Sequence, residues 1–433
     1  MEKIVSLAKR RGFIYPGSEI YGGLAGTWDY GPLGAELKFN FKQAWWRYMV
    51  SARENIFGLN ASILMNPKVW EASGHAAAFT DPLIECKTCN LRIRADQDDE
   101  KTAHETMHDA KEEKAEWTEP KTFNLLVEAT LGVVEGEKAT VYLRGEITQG
   151  VHVNFKNILD SVHPKIPFGV AQIGKAFRNE ITPGNFTYRL REFEQMEMQY
   201  YVEPDEARAM ASFEMWKEER MKWYLSLGIQ KEKLRFREHA PDERAHYARA
   251  AWDIEYETPF GWREAEGIHH RGDWDLSRHA QFSGLDLSYF DEATKTRFVP
   301  WVIETSCGVE RPLLYFLLDA YHEDGERVIL RLHPKLAPYK AAVFPLLANK
   351  PELVNRAREI YGSLKKDYMV VWDDRGNIGK RYYSQDEIGT PFCITADFET
   401  LENGTVTVRD RDTMQQERIH ETELAGHLRE KLG

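Results

Sequence analysis

One short stretch of this chain, residues 177–197, places cations and carboxylates very close together: "FRNEITPGNFTYRLREFEQME". Its charged residues are Arg178, Glu180, Arg189, Arg191, Glu192, Glu194 and Glu197. A solvated ribbon of surface salt bridges is one explanation of such a composition. The same groups could instead hold a charged substrate, because guanidinium groups bind phosphates and carboxylates bind ammonium groups or metal ions.

Strand periodicity predicts that most of these side chains share one face, since residues two apart in a strand point the same way. That face carries Gln172, Gly174, Ala176, Arg178 and Glu180 in the first run, and Arg189, Arg191, Phe193, Gln195, Glu197 and Gln199 in the second. The opposite parity carries Met196, Met198, Tyr200 and Val202, which are expected in a core. A salt-bridged ribbon does not explain an aromatic ring among the charges. We therefore predict an open, nucleotide-binding face on an antiparallel pair.

A second segment, "RFVPWVIETSCGVERPLLYFLLDAYHE", predicts a strand, a glycine-containing turn and an apolar helix. Arg311 stands at the start of that helix, where the helix dipole and free N–H groups already favour an anion. A capping pair with Glu310 is the structural alternative. Together with Glu304, however, Arg311 repeats the arginine–carboxylate composition of the first segment.

The length, net charge and cysteine content limit the classes of protein to which this chain can belong. A chain of 433 residues predicts two or three domains. A net charge of −12 argues against general polyanion binding, so an RNA partner would need a local basic surface. Four cysteines are too few for a disulfide framework and suit a reducing compartment. No stretch reaches the length of a membrane span and no secretory signal is recognisable, so we expect a cytoplasmic protein without membrane contact.

Hydrophobic periodicity outlines the elements that position these residues. A helix is predicted within residues 31–52, with one apolar stripe formed by Leu33, Leu37, Phe41, Trp45, Tyr48 and Ala52. Residues 96–119 are almost wholly polar and predict an exposed helix or a mobile insertion. Strand and helix patterns alternate over the last hundred residues, which predicts a small α/β domain with parallel pairing. The change of pattern places a boundary near residue 326.

Two motifs suggest a metal without establishing one. Cys86 and Cys89 form "CKTC", and His104 and His108 follow four residues apart on a possible helix face. Only one CxxC pair is present, and the histidines fall in the polar segment, so the sequence alone weighs against zinc. His269, His270 and His279 could also suggest a metal site, but neighbouring aromatic residues favour packing or phosphate contacts.

These segments together resemble the class II aminoacyl-tRNA synthetases, and most closely the bacterial dimeric glycyl-tRNA synthetases. "FRNE" with "REFEQME" is similar to the second signature motif of the class, and "IETSCGVER" to the third. The predicted helix with "SILMNP" is similar to the first, which forms the dimer interface in this class. "YLRGEITQG" and "GWREAEGIHHRGDWDLSRH" resemble the glycine-pocket and metal segments, and "LRLHPKLAPYKAAVFPL" and "DEIGTPFCITADF" resemble an anticodon-binding domain.

The resemblance implies an α+β catalytic domain on an antiparallel sheet over residues 1–326, with a polar insertion at about 90–120. An α/β anticodon-binding domain would occupy residues 327–433. The implied activity is ATP- and Mg²⁺-dependent activation of glycine and its transfer to tRNA(Gly) by a homodimer. The basic residues Lys335, Lys340, Arg375, Lys380 and Arg381 are expected to contact the tRNA.

The implied site residues fall into two groups. The ATP group is Arg178, Asn179, Glu180, Tyr188, Arg189, Leu190, Arg191, Glu192, Phe193, Glu264, Ala265, Gly308, Val309, Glu310 and Arg311. The glycine group is Arg94, Glu146, Phe193, Glu194, Gln195, Met196, Glu197, Glu304, Thr305, Ser306, Cys307 and Gly308. Arg178, Arg311 and Glu304 would be catalytic, and Glu264 and Glu304 would hold magnesium through ATP.

The chain departs from the family pattern in a few places. The family usually has proline at positions 145 and 305, Gly-Glu-Leu at 263–265, and commonly aspartate at 310. These departures spare the charged groups that the chemistry needs. A non-catalytic RNA-binding relative should have lost those groups, and a synthetase for another amino acid would need an apolar or aromatic pocket instead of clustered carboxylates.

Overall fold

The computed structural model of the chain describes residues 1–95, 98–132, 139–241, 243–244 and 248–432. The helices are α1 (Glu2–Arg11), α2 (Pro32–Trp46), α3 (Lys68–Ala72), α4 (His75–Ala78), α5 (Asp98–Asp109), α6 (Thr148–His152), α7 (Phe155–Val162), α8 (Glu206–Ser226), α9 (Trp274–Ser283), α10 (Glu310–Ala320), α11 (Pro351–Leu364), α12 (Ile378–Ile388), α13 (Phe398–Asn403) and α14 (Leu424–Leu432).

The strands in the same described part of the chain are β1 (Ile14–Pro16), β2 (Trp28–Tyr30), β3 (Ile56–Leu59), β4 (Thr80–Glu85), β5 (Arg92–Arg94), β6 (Lys121–Asn124), β7 (Val127–Leu131), β8 (Ala139–Leu143), β9 (Phe168–Phe177), β10 (Glu192–Val202), β11 (Leu234–Glu238), β12 (Ala250–Thr258), β13 (Gly261–Gly272), β14 (Tyr289–Asp291), β15 (Thr296–Phe298), β16 (Trp301–Gly308), β17 (Tyr321–Asp324), β18 (Arg327–Leu330), β19 (Ala341–Pro345), β20 (Val370–Trp372), β21 (Phe392–Ala396), β22 (Thr405–Asp410) and β23 (Gln416–His420).

A seven-stranded sheet forms the centre of the larger part of the molecule, in the order β11-β12-β13-β16-β10-β9-β3. Its neighbours pair antiparallel except for β3 and β9, which pair parallel. Helices α2, α8 and α10 pack with one face of this sheet in the main apolar core. The prediction of an α+β domain on an antiparallel sheet is confirmed.

Helix α2 follows the predicted stripe for three turns and then departs from it. It begins at Pro32, whose missing N–H is tolerated in the first turn, and Leu33, Leu37, Phe41 and Trp45 are buried. The helix continues as a π-helical turn over Arg47–Ser51. A π turn rotates the following residues relative to an α-helix. Met49 therefore takes the next buried position, and the predicted Tyr48 and Ala52 do not.

The last part of the chain folds on a five-stranded sheet in the order β20-β19-β21-β22-β23. The pairs β20–β19 and β19–β21 are parallel, as predicted, whereas β22 and β23 are antiparallel. A short turn joins β22 to β23, as an antiparallel pair allows, whereas helix α13 lies between β21 and β22. The predicted boundary near 326 lies in the β17–β18 turn, and side chains change from the first core to the second between Leu336 and Ala341.

Two of the cations expected to contact tRNA are instead structural. Lys340 donates through Nζ to the carbonyls of Pro334, Lys335 and Ala337, and burial lowers its pKa to about 8. Arg381 is buried and donates to four carbonyls, those of Pro345, Asp374, Arg375 and Gly376. The side chains of both residues are therefore committed to holding the loops of this domain together.

In the described residues, the polar insertion and the strands on either side of it form a small unit of one sheet and one helix. Strands β5, β4 and β6 form a three-stranded sheet, and α5 confirms the predicted helix, while residues 96 and 97 lie outside the described part. Its histidines are buried, which the polar composition did not predict. Within the described residues, no helix has the length and apolarity that crossing a membrane requires.

Candidate active site

A cleft of about 710 Å³ lies over the polar face of the central sheet, bounded by β10, β13, β16 and the start of α10. This volume is within the range of small-molecule sites. Sixteen of the predicted residues line it: Arg94, Glu146, Arg178, Glu180, Tyr188, Arg189, Leu190, Phe193, Gln195, Glu197, Glu264, Glu304, Ser306, Gly308, Glu310 and Arg311. The cleft therefore brings together charged residues that are up to 217 positions apart in the sequence, from Arg94 to Arg311.

Nine predicted residues are not among the cleft lining: Asn179, Arg191, Glu192, Glu194, Ala265, Met196, Thr305, Cys307 and Val309. The last five residues of that list, Ala265, Met196, Thr305, Cys307 and Val309, are buried. All of them except Thr305 belong to the main apolar core on the opposite face of the sheet. None of these five residues is therefore placed to contact a ligand in the cleft through its side chain. Consecutive strand residues alternate between the two faces, so a contiguous motif cannot place every side chain in the cleft.

The strand register explains how the polar face is assembled. Gln195 pairs with Gly174 in β9 and with Gly308 in β16, and Glu197 pairs with Gln172 and Ser306. Paired residues share a face, so the predicted grouping by parity is confirmed. This face opens onto the cleft through Phe193, Gln195 and Glu197, although the side chains of Gln195 and Glu197 are buried. Helix α6 packs across β9 and β10 and turns the face into the floor of a cleft.

A β-bulge decides the position of Glu264. Strand β12 pairs Glu255 with Glu264 and Ile254 with Glu266, so Ala265 has no partner. Ala265 and Glu266 both face the core, where Glu266 pairs with Arg220. The extra residue therefore turns Glu264 to the cleft side of the sheet.

Three carboxylates converge at one end of the cleft: Glu146, Glu197 and Glu304. Glu197 is the one whose ionised form the surroundings destabilise. Its oxygens accept hydrogen bonds from Thr148 Oγ1 at 2.5 Å and Ser306 Oγ at 2.7 Å. Burial and the negative charges of Glu304 and Glu146 nevertheless raise the pKa of Glu197 to about 8. A pKa of about 8 leaves this group mostly protonated at pH 7.

Glu304 is the opposite case, a buried carboxylate surrounded by donors. It accepts from His269 Nδ1 at 2.8 Å, from Gln199 Nε2 at 2.8 Å and from Arg271 at 3.1 Å. Burial alone would raise its pKa, but Arg271 and His269 outweigh burial and hold the pKa well below its ordinary value. Glu304 is therefore fixed as an anion.

Glu146 completes the group. Its oxygens lie 3.3 Å from Nε2 of His75 and 2.9 Å from Nε2 of Gln149. Burial would raise the pKa of Glu146, but His75 and Arg271 lower it to about 2. Two fixed anions thus flank the protonated Glu197, which is a suitable receptor for a small ammonium group.

The other end of the cleft is cationic. The Arg178 guanidinium lies between two rings, 5.2 Å from the centroid of Phe79 and 5.3 Å from that of Phe193, and its Nε donates to the carbonyl of Gly145 at 3.1 Å. These contacts hold the guanidinium in one orientation toward the cleft, as an anion-binding group requires.

Arg311 forms the second cationic group, at the start of α10. It pairs with Glu264 at 2.9 Å and lies over the ring of Tyr188, 4.6 Å from its centroid. The predicted alternative, a capping pair with Glu310, does not form, because Glu310 pairs with Lys38. Arg311 and Glu264 therefore face the cleft as a pair.

The predicted charges outside the cleft have structural partners. Arg191 donates to the carbonyls of Glu180 and Ala25. Glu192 pairs with Lys175 at 2.6 Å on the exposed side of the hairpin. Glu194 pairs with Lys38 and Lys42 of α2, at 2.8 and 2.9 Å. The first explanation of the charged stretch, a network of salt bridges, thus holds for part of it.

Several residues of the cleft were not predicted: His75, Phe79, Thr148, His269 and Arg271. Of these, His269 and Arg271 could have been found by alternation, since they follow Gly267 at steps of two in β13, and His269 pairs with Glu304 in β16. The others lie in loops or at short helices, where no periodicity indicates direction. His269, His270 and His279 do not converge: they contact Glu304, Trp301 and Gln149 respectively, which supports the packing interpretation.

Comparison with known proteins identifies the family of this chain. A family model for the class II tRNA synthetase core domain (G, H, P, S and T) matches residues 133–321, and one for an anticodon binding domain matches residues 340–431. The chain is 50% identical to the glycine–tRNA ligases of Alkaliphilus oremlandii, Thermobifida fusca and Borreliella burgdorferi. Each alignment covers 100% of this chain and 97–98% of the relative. The chain therefore belongs to the glycine–tRNA ligase family of the class II tRNA synthetases.

Proposed function

We propose that this protein is a glycine–tRNA ligase whose single cleft performs both steps of the reaction. In the first step, a carboxylate oxygen of glycine attacks the α-phosphorus of ATP, the new O–P bond forms, and the bond to pyrophosphate breaks. In the second, the terminal ribose hydroxyl of tRNA(Gly) attacks the glycyl carbonyl and releases AMP. The observation that carries the proposal is the meeting of three carboxylates and two arginines in one cleft.

The cationic end would bind the triphosphate. Phosphoryl transfer depends on positioning and on neutralising charge more than on covalent chemistry. Arg178, fixed between Phe79 and Phe193, would meet the α-phosphate and the charge that develops on it. Arg311 would meet the γ-phosphate, and the ring of Phe193 would also stack on adenine.

Magnesium fits Glu264 better than Glu304. Mg²⁺ prefers oxygen ligands such as carboxylates and would supply positive charge beside the phosphates. The side chain of Glu264 is 47% exposed and stands beside Arg311 in the cleft. Glu304 already accepts hydrogen bonds from four side chains. It also pairs with His269, which lies five residues along β13 from Glu264, a separation on the order of 15 Å. We therefore retain Glu264 as the proposed ligand and assign Glu304 to the amino acid.

The anionic end would bind glycine. Its ammonium would lie among Glu146, Glu197 and Glu304, with Ser306 beside the α-carbon. Arg94 would face the carboxylate from the insertion, where Asp81 holds its guanidinium at 2.6 Å. A pocket without space for a β-carbon would reject alanine by steric exclusion, so a separate editing site would be unnecessary.

A homodimer is part of the proposal. Large apolar side chains near the first motif are exposed, among them Ile20 at 87%, Tyr21 at 86%, Leu24 at 59% and Phe39 at 55%. Exposed apolar patches of this kind mark protein interfaces. Sedimentation of the full chain would measure the state directly, and a monomer at micromolar concentration would contradict this part.

The proposal places the enzyme in the cytoplasm, where ATP and tRNA are available and the thiols would stay reduced. Cys86, Cys89, Cys307 and Cys393 are free thiols. The exposed cations Lys335, Arg375 and Lys380 remain the proposed contacts with the anticodon stem.

Amino-acid-dependent ATP–pyrophosphate exchange, run with all twenty amino acids in parallel, tests the proposal. Exchange with glycine alone is the expected result. Exchange with another amino acid would retain the class and reject the carboxylate pocket. No exchange with any amino acid, from folded protein, would reject catalysis.

A further inference from the structure

A second cluster of reactive side chains lies outside the cleft, on the polar insertion. Strand β4 ends at Glu85, and Cys86 and Cys89 occupy the turn that leads into β5. Helix α5 places His104 and His108 one turn apart on the side facing that turn. Two distant segments of the insertion thus present two thiols and two imidazoles to the same point.

The distances among these groups match a tetrahedral metal site. Cys86 Sγ lies 3.8 Å from Nε2 of His108, and Cys89 Sγ lies 3.5 Å from Nε2 of His104. One ligand atom of each residue lies within 4.8 Å of all the others. Zinc bonds of about 2.3 Å to sulfur and about 2.0 Å to nitrogen put the two ligand atoms about 3.5 Å apart in a tetrahedron.

The surroundings of the cluster also suit a metal. Cys86, His104 and His108 are buried, with His104 at 6% and His108 at 5% exposure, in a segment with few apolar residues to form a core. The Nδ1 atom of His108 lies 3.2 Å from a carboxylate oxygen of Glu113. A carboxylate at the far nitrogen is the usual support for a metal-bound histidine, since it fixes the ring and its tautomer.

We propose that Cys86, Cys89, His104 and His108 bind one zinc ion. A set of two cysteines and two histidines in tetrahedral positions selects zinc over magnesium or calcium, which prefer oxygen ligands. All four positions are filled by protein atoms, so the site is structural and leaves no place for a substrate. It replaces the apolar core that the insertion lacks by joining α5 to the β4–β5 hairpin.

The site also has a consequence for glycine, which depends on the function proposed above. The hairpin that carries the two cysteines carries Asp81 in β4 and Arg94 in β5. Arg94 lines the cleft and pairs with Asp81. Zinc would therefore fix the β4–β5 hairpin, and this hairpin presents Arg94 to the carboxylate of glycine. The metal itself would not contact glycine.

Metal content of the purified full chain tests the site, independently of activity. We expect about one zinc per chain after dialysis, measured by mass spectrometry of the elements. In the double variant Cys89→Ser with His104→Ala, the zinc content per chain should fall at least tenfold. A matched control, Cys393→Ala, changes a buried thiol in the last domain and should keep its zinc.

A second measurement keeps the test valid if the double variant does not fold. Wild-type protein freed of metal by a chelator and titrated with Co²⁺ should show thiolate charge-transfer absorption and the intense visible bands of a tetrahedral site. Absence of zinc together with absence of these bands would overturn the proposal. A Cys86–Cys89 disulfide that persists in protein purified under reducing conditions, identified by mass spectrometry of the peptide that contains both cysteines, would overturn it as well.

Glycine kinetics test the link to Arg94. In the folded double variant we expect the KM for glycine to rise about tenfold while the KM for ATP changes less than twofold. Unchanged glycine KM with zinc lost would reject the positioning role. If zinc is present in wild-type protein but no amino acid supports exchange, the proposed function fails and the metal site stands.

Discussion

The substitution Glu197→Gln tests the central electrostatic argument, that one of three clustered carboxyls is protonated until glycine binds. Burial and repulsion from Glu304 and Glu146 raise the pKa of Glu197 from 4.5 to about 8. In the unfolded chain this carboxyl loses its proton near pH 4.5, whereas in the folded protein it keeps the proton until about pH 8. Folding stability is therefore lost as the pH rises between those values.

The magnitude follows from the same two pKa values. At pH 7, keeping Glu197 protonated in the folded state costs on the order of 3 kcal/mol relative to the unfolded chain. Glu197→Gln removes this cost, so the free variant should unfold at a higher temperature than wild type at pH 8 and show a flatter profile from pH 5 to 8. Glu292→Gln, at an exposed hairpin position, should follow the wild-type profile.

Glycine binding should show the converse effect. The ammonium needs the ionised carboxylate, whose fraction rises from about 0.1 at pH 7 to about 0.5 at pH 8, so affinity should rise about fivefold. In Glu197→Gln this pH dependence should disappear, and loss of a buried charge contact should weaken binding by about 2–5 kcal/mol.

Calorimetric titration with a non-hydrolysable sulfamoyl analogue of glycyl-adenylate, in buffers of different ionisation enthalpy, measures the proton directly. About one proton should leave wild-type protein at pH 7, and none should leave the variant. Parallel stability profiles for wild type and Glu197→Gln, with no proton released, would show that Glu197 is ionised in the free protein. The three-carboxylate reasoning would then be wrong.

Three further predictions concern other parts of the chain. Arg178→Ala should reduce the rate of ATP–pyrophosphate exchange about 10²–10³-fold by removing a transition-state contact, with an unfolding midpoint near that of wild type; loss of the fold would instead indicate a structural role. Gly145→Ala would place a Cβ 2.8 Å from Cε1 of Phe79, so the ring beside Arg178 must move and the KM for ATP should rise several-fold; an unchanged KM would show that the ring has room. Glu266→Gln leaves Arg220 buried without its counter-ion and should cost about 3–5 kcal/mol in denaturant unfolding, whereas a loss below 1 kcal/mol would show that the pair contributes little.

The strand pattern of β10 was determined by the sequence. Met196, Met198 and Tyr200 alternate with Gln195 and Glu197, and burial of the apolar set in a core decides which way every side chain of the strand points. The same reasoning predicted the antiparallel pair of β9 and β10 and the helix after β16, whereas the antiparallel sheet as a whole was implied by the resemblance to the class II synthetases. It works because a period of two or of 3.6 residues is a local property of the backbone.

Tertiary structure decided which charged side chains face the cleft. Glu264 faces it only because a bulge at Ala265 reverses the alternation, and Arg191 leaves it because backbone carbonyls of another loop accept its hydrogen bonds. Neither effect leaves a periodic signal, since each depends on the partner strand or loop.

The two histidines of α5 illustrate the same limit most clearly. The sequence indicated a helix and a CxxC motif separately, and the polar composition weighed against a metal. Only the packing of α5 on the β4–β5 hairpin brings His104 and His108 within 4.8 Å of Cys86 and Cys89. Residue types and periodicity thus determined which chemical groups the chain carries and the local direction of each, while long-range packing decided which groups meet, because a distance between segments is not a property of either segment alone.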